Sequence, residues 1–406
     1  MPKVIFVAPF LMPATVRFAA AVAELPGIRC ALITQDPAVK VPPPLAARIE
    51  VHHRVEDAFD PHQLAQAARE VGAKLGGIDR LFGALEQLQV PLAQAREMLG
   101  VEGLPSEAAH NFRDKARMKE VLRAHGLPCA RHALATSRAE ARAFAAEVGF
   151  PLVVKPPDGA GAKATFRVDS PTALEEALSV AGPAPAQAVL IEEFMVGDEH
   201  SFETVTIGGE PVWYSFTRYL PTPLEALHNP WIQWCVLLPR EREDPRFADI
   251  REVGYRALKA LGMTTGLSHM EWFRRRDGSV AISEVAARPP GAQITTLMSV
   301  AHEWDLLAAW ARLMVFGEFD PPPRKWAAGA AFLRGAGRGR VKNVLGLDQA
   351  QKELGPLVVE AQLPTPGAQK STSYEGDGYV LLRHQDTQAV FHALMRLVSL
   401  IRVEYV

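Results

Sequence analysis

Cysteine is scarce in this chain of 406 residues: Cys30, Cys129 and Cys235 are the only three. An odd, widely spaced trio builds neither a disulfide framework nor a zinc-ligand pattern, and it fits a reducing, cytoplasmic compartment. Cys235, between Trp234 and Val236, reads as a packed apolar residue rather than a nucleophile. Long apolar runs are lacking too. No stretch supplies the roughly 20 residues that span a bilayer, and Lys3-Val4-Ile5-Phe6-Val7-Ala8 reads as a short buried strand, not a signal peptide. Neither sign of charge dominates. Lys and Arg number 44 against 46 Asp and Glu, a net charge of −2, so no global electrostatic case exists for nucleic acid or an anionic membrane as partner. Internal repeats and low-complexity tracts are absent. So is a G-x-G-x-x-G loop, which removes the dinucleotide-binding reading of the N-terminal region.

What is there is ordinary globular composition, 48% hydrophobic and 22% charged, in a chain long enough for two or three cores. Residues 4–8, 14–24 and 30–34 read as strand, helix and strand, a βαβ unit with a parallel pair. Helical patterns follow at 62–72 and 91–99, with a boundary near His110. Residues 114–125 predict a helix, 150–155 and 188–191 predict strands, and 270–274 with 280–284 predict an antiparallel hairpin around Asp277-Gly278. A long helix is predicted over 303–315. Pro321-Pro322-Pro323 marks a stiff linker, and short strands and a helix over 387–399 complete the tail. The expected organisation is an α/β domain over 1–110, a central domain over 111–315 and a small α+β domain over 316–406. Two basic runs stand out. Arg274-Arg275-Arg276 reads as a solvated loop edge, and 334–342, with Gly335, Gly337 and Gly339, as a flexible loop or, alternatively, a phosphate-binding one.

Three constellations carry chemistry. Lys115 lies near a helix start, and Lys155 ends an apolar strand just before Pro156-Pro157-Asp158-Gly159-Ala160-Gly161. A lysine in that position is costly to bury without an anion. A triphosphate would serve, with Gly159 and Gly161 letting backbone N–H groups approach its oxygens. A surface lysine and an ordinary turn is the plainer alternative. Next, Glu192-Glu193-Phe194-Met195 closes an apolar strand and Glu199 follows. Extended backbone there suits an adenine edge, and Glu199 suits two ribose hydroxyls; a strand running into an acidic loop is the alternative. Finally, Glu271 and Glu284 sit on the two arms of the hairpin. Paired carboxylates on rigid strands suit Mg²⁺, and Arg288 lies close enough in sequence to meet the same phosphate.

In this order the set resembles the ATP-grasp superfamily over most of the chain. The resemblance implies α/β plus α+β architecture: an N-terminal parallel α/β domain, an ATP-grasp domain of two subdomains with ATP between them, and a small C-terminal α+β domain. It implies ATP contacts from Lys115, Lys155, Gly159, Gly161, Glu192, Glu193, Phe194 and Glu199. It implies metal ligation by Glu271 and Glu284, and a catalytic role for Arg288. The cofactors implied are ATP and Mg²⁺, with Mn²⁺ as an admissible substitute. The family's serine and further glycine in the loop after the second lysine are replaced by Ala162 and Ala164, and its Glu-x-Asn-x-Arg reads Glu284-Val285-Ala286-Ala287-Arg288. Segments such as 339–344 and 374–380 look like the C-terminal domain of L-amino-acid ligases. Leu227-His228-Asn229-Pro230 resembles a loop near their acyl-phosphate site, which carries over His228 as a catalytic contact, a plain turn residue being the alternative; Trp231 and Trp234 read as packed aromatics or, alternatively, as acceptor-pocket walls. The implied function is an ATP-dependent carboxylate–amine ligase working through an acyl phosphate on small molecules, amino acids among them, as a homodimer. A bicarbonate-using carboxylase and a non-catalytic nucleotide-binding module are the rivals.

Overall fold

The computed structural model describes residues 1–158 and 165–406. The expected phosphate-loop residues Gly159 and Gly161, and Ala162 and Ala164, lie outside the described residues. The N-terminal region is the predicted parallel sheet. Strand Lys3–Val7 is flanked by Arg29–Thr34 and Arg80–Phe82, with Val51–Arg54 at one edge. The helices Pro13–Ala23 and Pro61–Leu75 cover it. The second begins at Asp60, whose carboxylate accepts the N–H groups of His62 and Gln63, and stops at Gly76 in the left-handed conformation.

The centre of the molecule is an antiparallel sheet of eight strands among the described residues. Its order runs Val280–Ala286, Gly266–Arg275, Gly197–Ile207, Glu210–Leu220, Cys235–Leu238, Ala327–Leu333, Gly378–His384 and Val358–Gln362. Alternation sorts the side chains. Phe202, Phe216, Met270 and Trp272 face the helix Ala248–Leu261, whereas Val205, Trp213, Tyr219 and Leu267 share a core with Trp310 and Leu297. Where Gly197 begins its strand, a Cβ would lie 2.2 Å from the Arg274 carbonyl oxygen, so only glycine permits that approach. A smaller antiparallel sheet, His132–Ala135, Val189–Glu193, Leu152–Lys155 and Phe166–Val168, stands apart.

Several expectations are corrected. The helix predicted over 303–315 begins later, as Leu306–Phe316, and a separate helix, Ile294–His302, precedes it. Glu303 turns left-handed, and the Asp305 side chain accepts the N–H groups of Leu307 and Ala308 to start a new helix. Residue 110 lies inside the helix Ser106–Arg113, whose Asn111 donates to the Leu261 carbonyl. Beyond the proline run, Ala327–Leu333 pairs with Cys235–Leu238, so the C-terminal strands extend the central sheet. The glycines of 334–342 make room for the last strand: a Cβ on Gly335 or Gly339 would meet the Val403 or Val406 carbonyl. Lys370 binds the carbonyls of Gly335 and Gly337, so this segment is a packed turn and not a phosphate loop. Cys235 is buried, as expected.

Candidate active site

A cavity of about 470 Å³ opens between the small sheet and the edge of the central one. Asp114 caps the helix Lys115–Ala124 by accepting the N–H groups of Ala116 and Arg117, which puts Lys115 at the first helical position, facing the cavity. Its ammonium lies 2.9 Å from Glu284. Lys155, at the end of its strand, pairs with Glu192. Between them lies a lysine the sequence reading passed over. Lys119 is wholly buried, 3.0 Å from Glu192, and donates to the Ser283 carbonyl at 3.0 Å. One turn after Lys115, it shares that residue's helical face, which was the available signal. Burial alone raises a carboxyl and lowers an amine. Here burial pushes Glu192 up, but Lys119 and Lys155 outweigh it and hold the group down at about 2. Burial wins at Lys119, whose ammonium titrates below its ordinary range despite Glu192. At Lys155 burial is outweighed by Glu192 and Glu284, and the ammonium is strengthened.

The hairpin places Glu271 and Glu284 as direct cross-strand partners, with a bulge immediately after Glu271. Burial pushes Glu284 up, yet Lys115 and Lys155 bring it to about 2. Glu199, two strands from Glu284, is raised well above the carboxylate range by burial and by the charge of Glu271. Three carboxyl groups thus crowd one end of the cavity, a hard-oxygen donor set that a divalent cation would relieve. Among the described residues no group of three or more His, Cys, Asp or Glu side chains forms a closed metal cage. Glu271 and Glu284 supply two hard oxygen groups of the kind a divalent cation takes, and Ala286 offers none.

Behind the metal pair stands His269, also unforeseen. Its Nδ1 meets Glu203 at 2.9 Å and its Nε2 lies 3.7 Å from Glu271. Burial disfavours its charge, but Glu203 and Glu271 together raise the imidazole to about 9. Arg288 also lines the cavity, bound at 2.7 Å by Glu86 of the N-terminal region. Glu86 further pairs with Arg113 at 3.5 Å.

The expected adenine segment is only partly free. Glu193 is held by Arg131 at 2.7 Å and Arg275 at 2.9 Å, so Arg275 is no bare loop edge. The Phe194 ring lies under Arg167, 4.4 Å away. Two of the expected residues lie outside the cavity lining. His228 ends a short helix, exposed and outside the cavity lining, and Trp231 is 64% exposed. Trp234 does form a wall, packed with Tyr219 and Tyr374.

Residues 120–302 match the model of the ATP-grasp domain. The L-arginine-specific L-amino acid ligase of Bacillus subtilis is 24% identical over 313 residues, 75% of this chain and 74% of that protein. Two solved structures share the fold. An L-amino acid ligase from Bacillus licheniformis superposes with a TM-score of 0.78 at 19% identity, covering 100% of this chain and 99% of its own. An N5-carboxyaminoimidazole synthetase from Staphylococcus aureus complexed with ADP gives 0.71 at 14% identity, covering 98% and 97%. Fold and comparisons together give the chain the ATP-grasp architecture. Residues 120–302 carry an ATP-grasp domain.

Proposed function

We propose that the protein is an ATP-dependent carboxylate–amine ligase that joins amino-acid substrates through an acyl phosphate, releasing ADP and phosphate. The observation that supports this most is the convergence, in one cavity, of Lys115, Lys155, two facing carboxylates and Arg288, with Lys119 buried behind them. A carboxylate is a poor electrophile at neutral pH, and phosphorylation gives it a good leaving group. The transfer gathers negative charge on the phosphoryl oxygens, and Lys115, Lys155 and Arg288 lie where that charge would develop. Mg²⁺, held by Glu271 and Glu284 (Mn²⁺ in its place serves the same ligands), would supply further charge neutralisation to the phosphates. Glu192, fixed between Lys119 and Lys155, orders the hinge strand beside the adenine segment and leaves Glu199 for the ribose. Glu86 aims Arg288 at the substrate carboxyl group. The amine then attacks the acyl carbon and phosphate leaves.

The test is phosphate release from Mg·ATP against a panel of amino acids, dipeptides and bicarbonate. Release that requires an acid–amine pair, with the amide product found by mass spectrometry, supports the ligase. Release that requires bicarbonate and one amine would replace it with a carboxylase. ATP binding without release on any panel member would replace it with a nucleotide-binding module.

A further inference from the structure

Five of the seven carboxylates lining the cavity are ion-paired, at Glu86, Glu192, Glu193, Glu271 and Glu284; the exceptions among the described residues are Glu199 and Glu375. Glu199 belongs to the crowded phosphate end, beside Glu271. Glu375 lies elsewhere. Its side chain is half-buried, burial raises its carboxyl, and among the described residues its one partner is the backbone N–H of Ala292 and no positive group acts on it. Its neighbour Tyr374 meets Trp234 edge-on at 4.8 Å, and Trp234 meets Tyr219 at 5.3 Å. A carboxylate turned into a cavity without a counter-ion is costly, and an aromatic group of three attracts cations and packs against aliphatic stems.

We propose that this corner receives the cationic end, ammonium or guanidinium, of an amino-acid substrate's side chain, its stem along the Tyr219, Trp234 and Tyr374 rings and its carboxyl group toward Arg288. The inference rests on the ligase reading and names its substrate class. The α-ammonium is the wrong occupant for Glu375. It lies two bonds from the carboxyl carbon and must stay near Arg288 and Glu86. Glu375 instead follows Tyr374 in the chain and is held by the Ala292 N–H, so it sits at the aromatic corner of the cavity.

The experiment is calorimetric binding of L-lysine, L-arginine and L-norleucine to protein saturated with Mg²⁺ and a non-hydrolysable ATP analogue, paired with phosphate release from Mg·ATP. Lysine, arginine or both should bind at least tenfold more tightly than norleucine, and the arm that responds names the head group. Glu375→Gln should remove most of that difference while ATP-analogue binding persists, and Glu375→Lys should swing preference toward L-glutamate. Norleucine binding as tightly as the basic residues, or a preference unchanged in Glu375→Gln, overturns the assignment. Turnover of amino acids without a basic preference sinks this inference alone. Neither binding nor turnover of any amino acid sinks the ligase reading along with it.

Discussion

Arg288 and Glu86 are joined at 2.7 Å across 202 positions of sequence, the arginine from the segment after the metal hairpin and the acid from the N-terminal region. Both are largely shielded from solvent. Burial opposes the charge of the guanidinium, and Glu86 outweighs it. The pair sets the direction in which the remaining N–H groups of Arg288 point.

Glu86→Gln keeps the shape of the acid and removes the charge that anchors Arg288. We expect kcat/KM for phosphate release to fall roughly 10- to 100-fold, about 1.4–2.7 kcal/mol of transition-state stabilisation. Wild-type kinetics in a variant with unaltered melting would show that Arg288 needs no such anchor.

Glu284→Ala removes the partner of Lys115 and, on the proposed function, a metal ligand. ATP turnover should drop by at least about 100-fold, and the Mg²⁺ concentration for half-maximal nucleotide binding should rise. Full activity would end the metal assignment.

Lys119 is a buried cation whose counter-charge is Glu192. Lys119→Met leaves Glu192 to Lys155 alone and should cost about 3–5 kcal/mol of stability, read as the urea unfolding free energy. The double variant Lys119→Met, Glu192→Gln should recover part of that loss. A single variant as stable as wild type would contradict the pairing.

His200 is stacked on Trp272, with centroids 4.6 Å apart and planes at 17°, and burial followed by the charge of Arg218 depresses its imidazole to about 3. The folded value lies below the unfolded one of about 6.5, so its contribution is present above pH 6.5 and lost as pH falls toward 3. At pH 5.5 the single group should cost about 1.4 kcal/mol relative to pH 7.5. His200→Phe should flatten the corresponding slope of urea midpoint against pH. An equal slope in both proteins would assign acid lability to other groups.

Much of the architecture was legible because it is local. Apolar runs bounded by Pro and Gly marked the first βαβ unit, and the Asp277-Gly278 turn set the register that opposes Glu271 and Glu284. The helix Ile294–His302 was not legible as an element of its own, and the next one, expected from Glu303, starts at Leu306 because the Asp305 carboxylate takes the first backbone N–H groups. Lys119 and His269 escaped for a different reason. Each is an ordinary residue type in an ordinary pattern, and its meaning comes from Glu192 or Glu203, which lie at least 66 positions away.

The sequence alone determined which residue types could meet a polyphosphate and a metal: two lysines at element ends, two acids on one hairpin, an arginine four residues on. That much follows from side-chain chemistry and from the periods of helix and strand, which the chain carries position by position. Only the tertiary structure decided which charges cancel. It buried Lys119, gave Arg288 to Glu86, drew Glu193 away to Arg131 and Arg275, sent His228 to the surface and left Glu375 without a counter-ion among the described residues. Pairing and desolvation depend on distances between segments remote in the chain, and those distances exist only once it has folded.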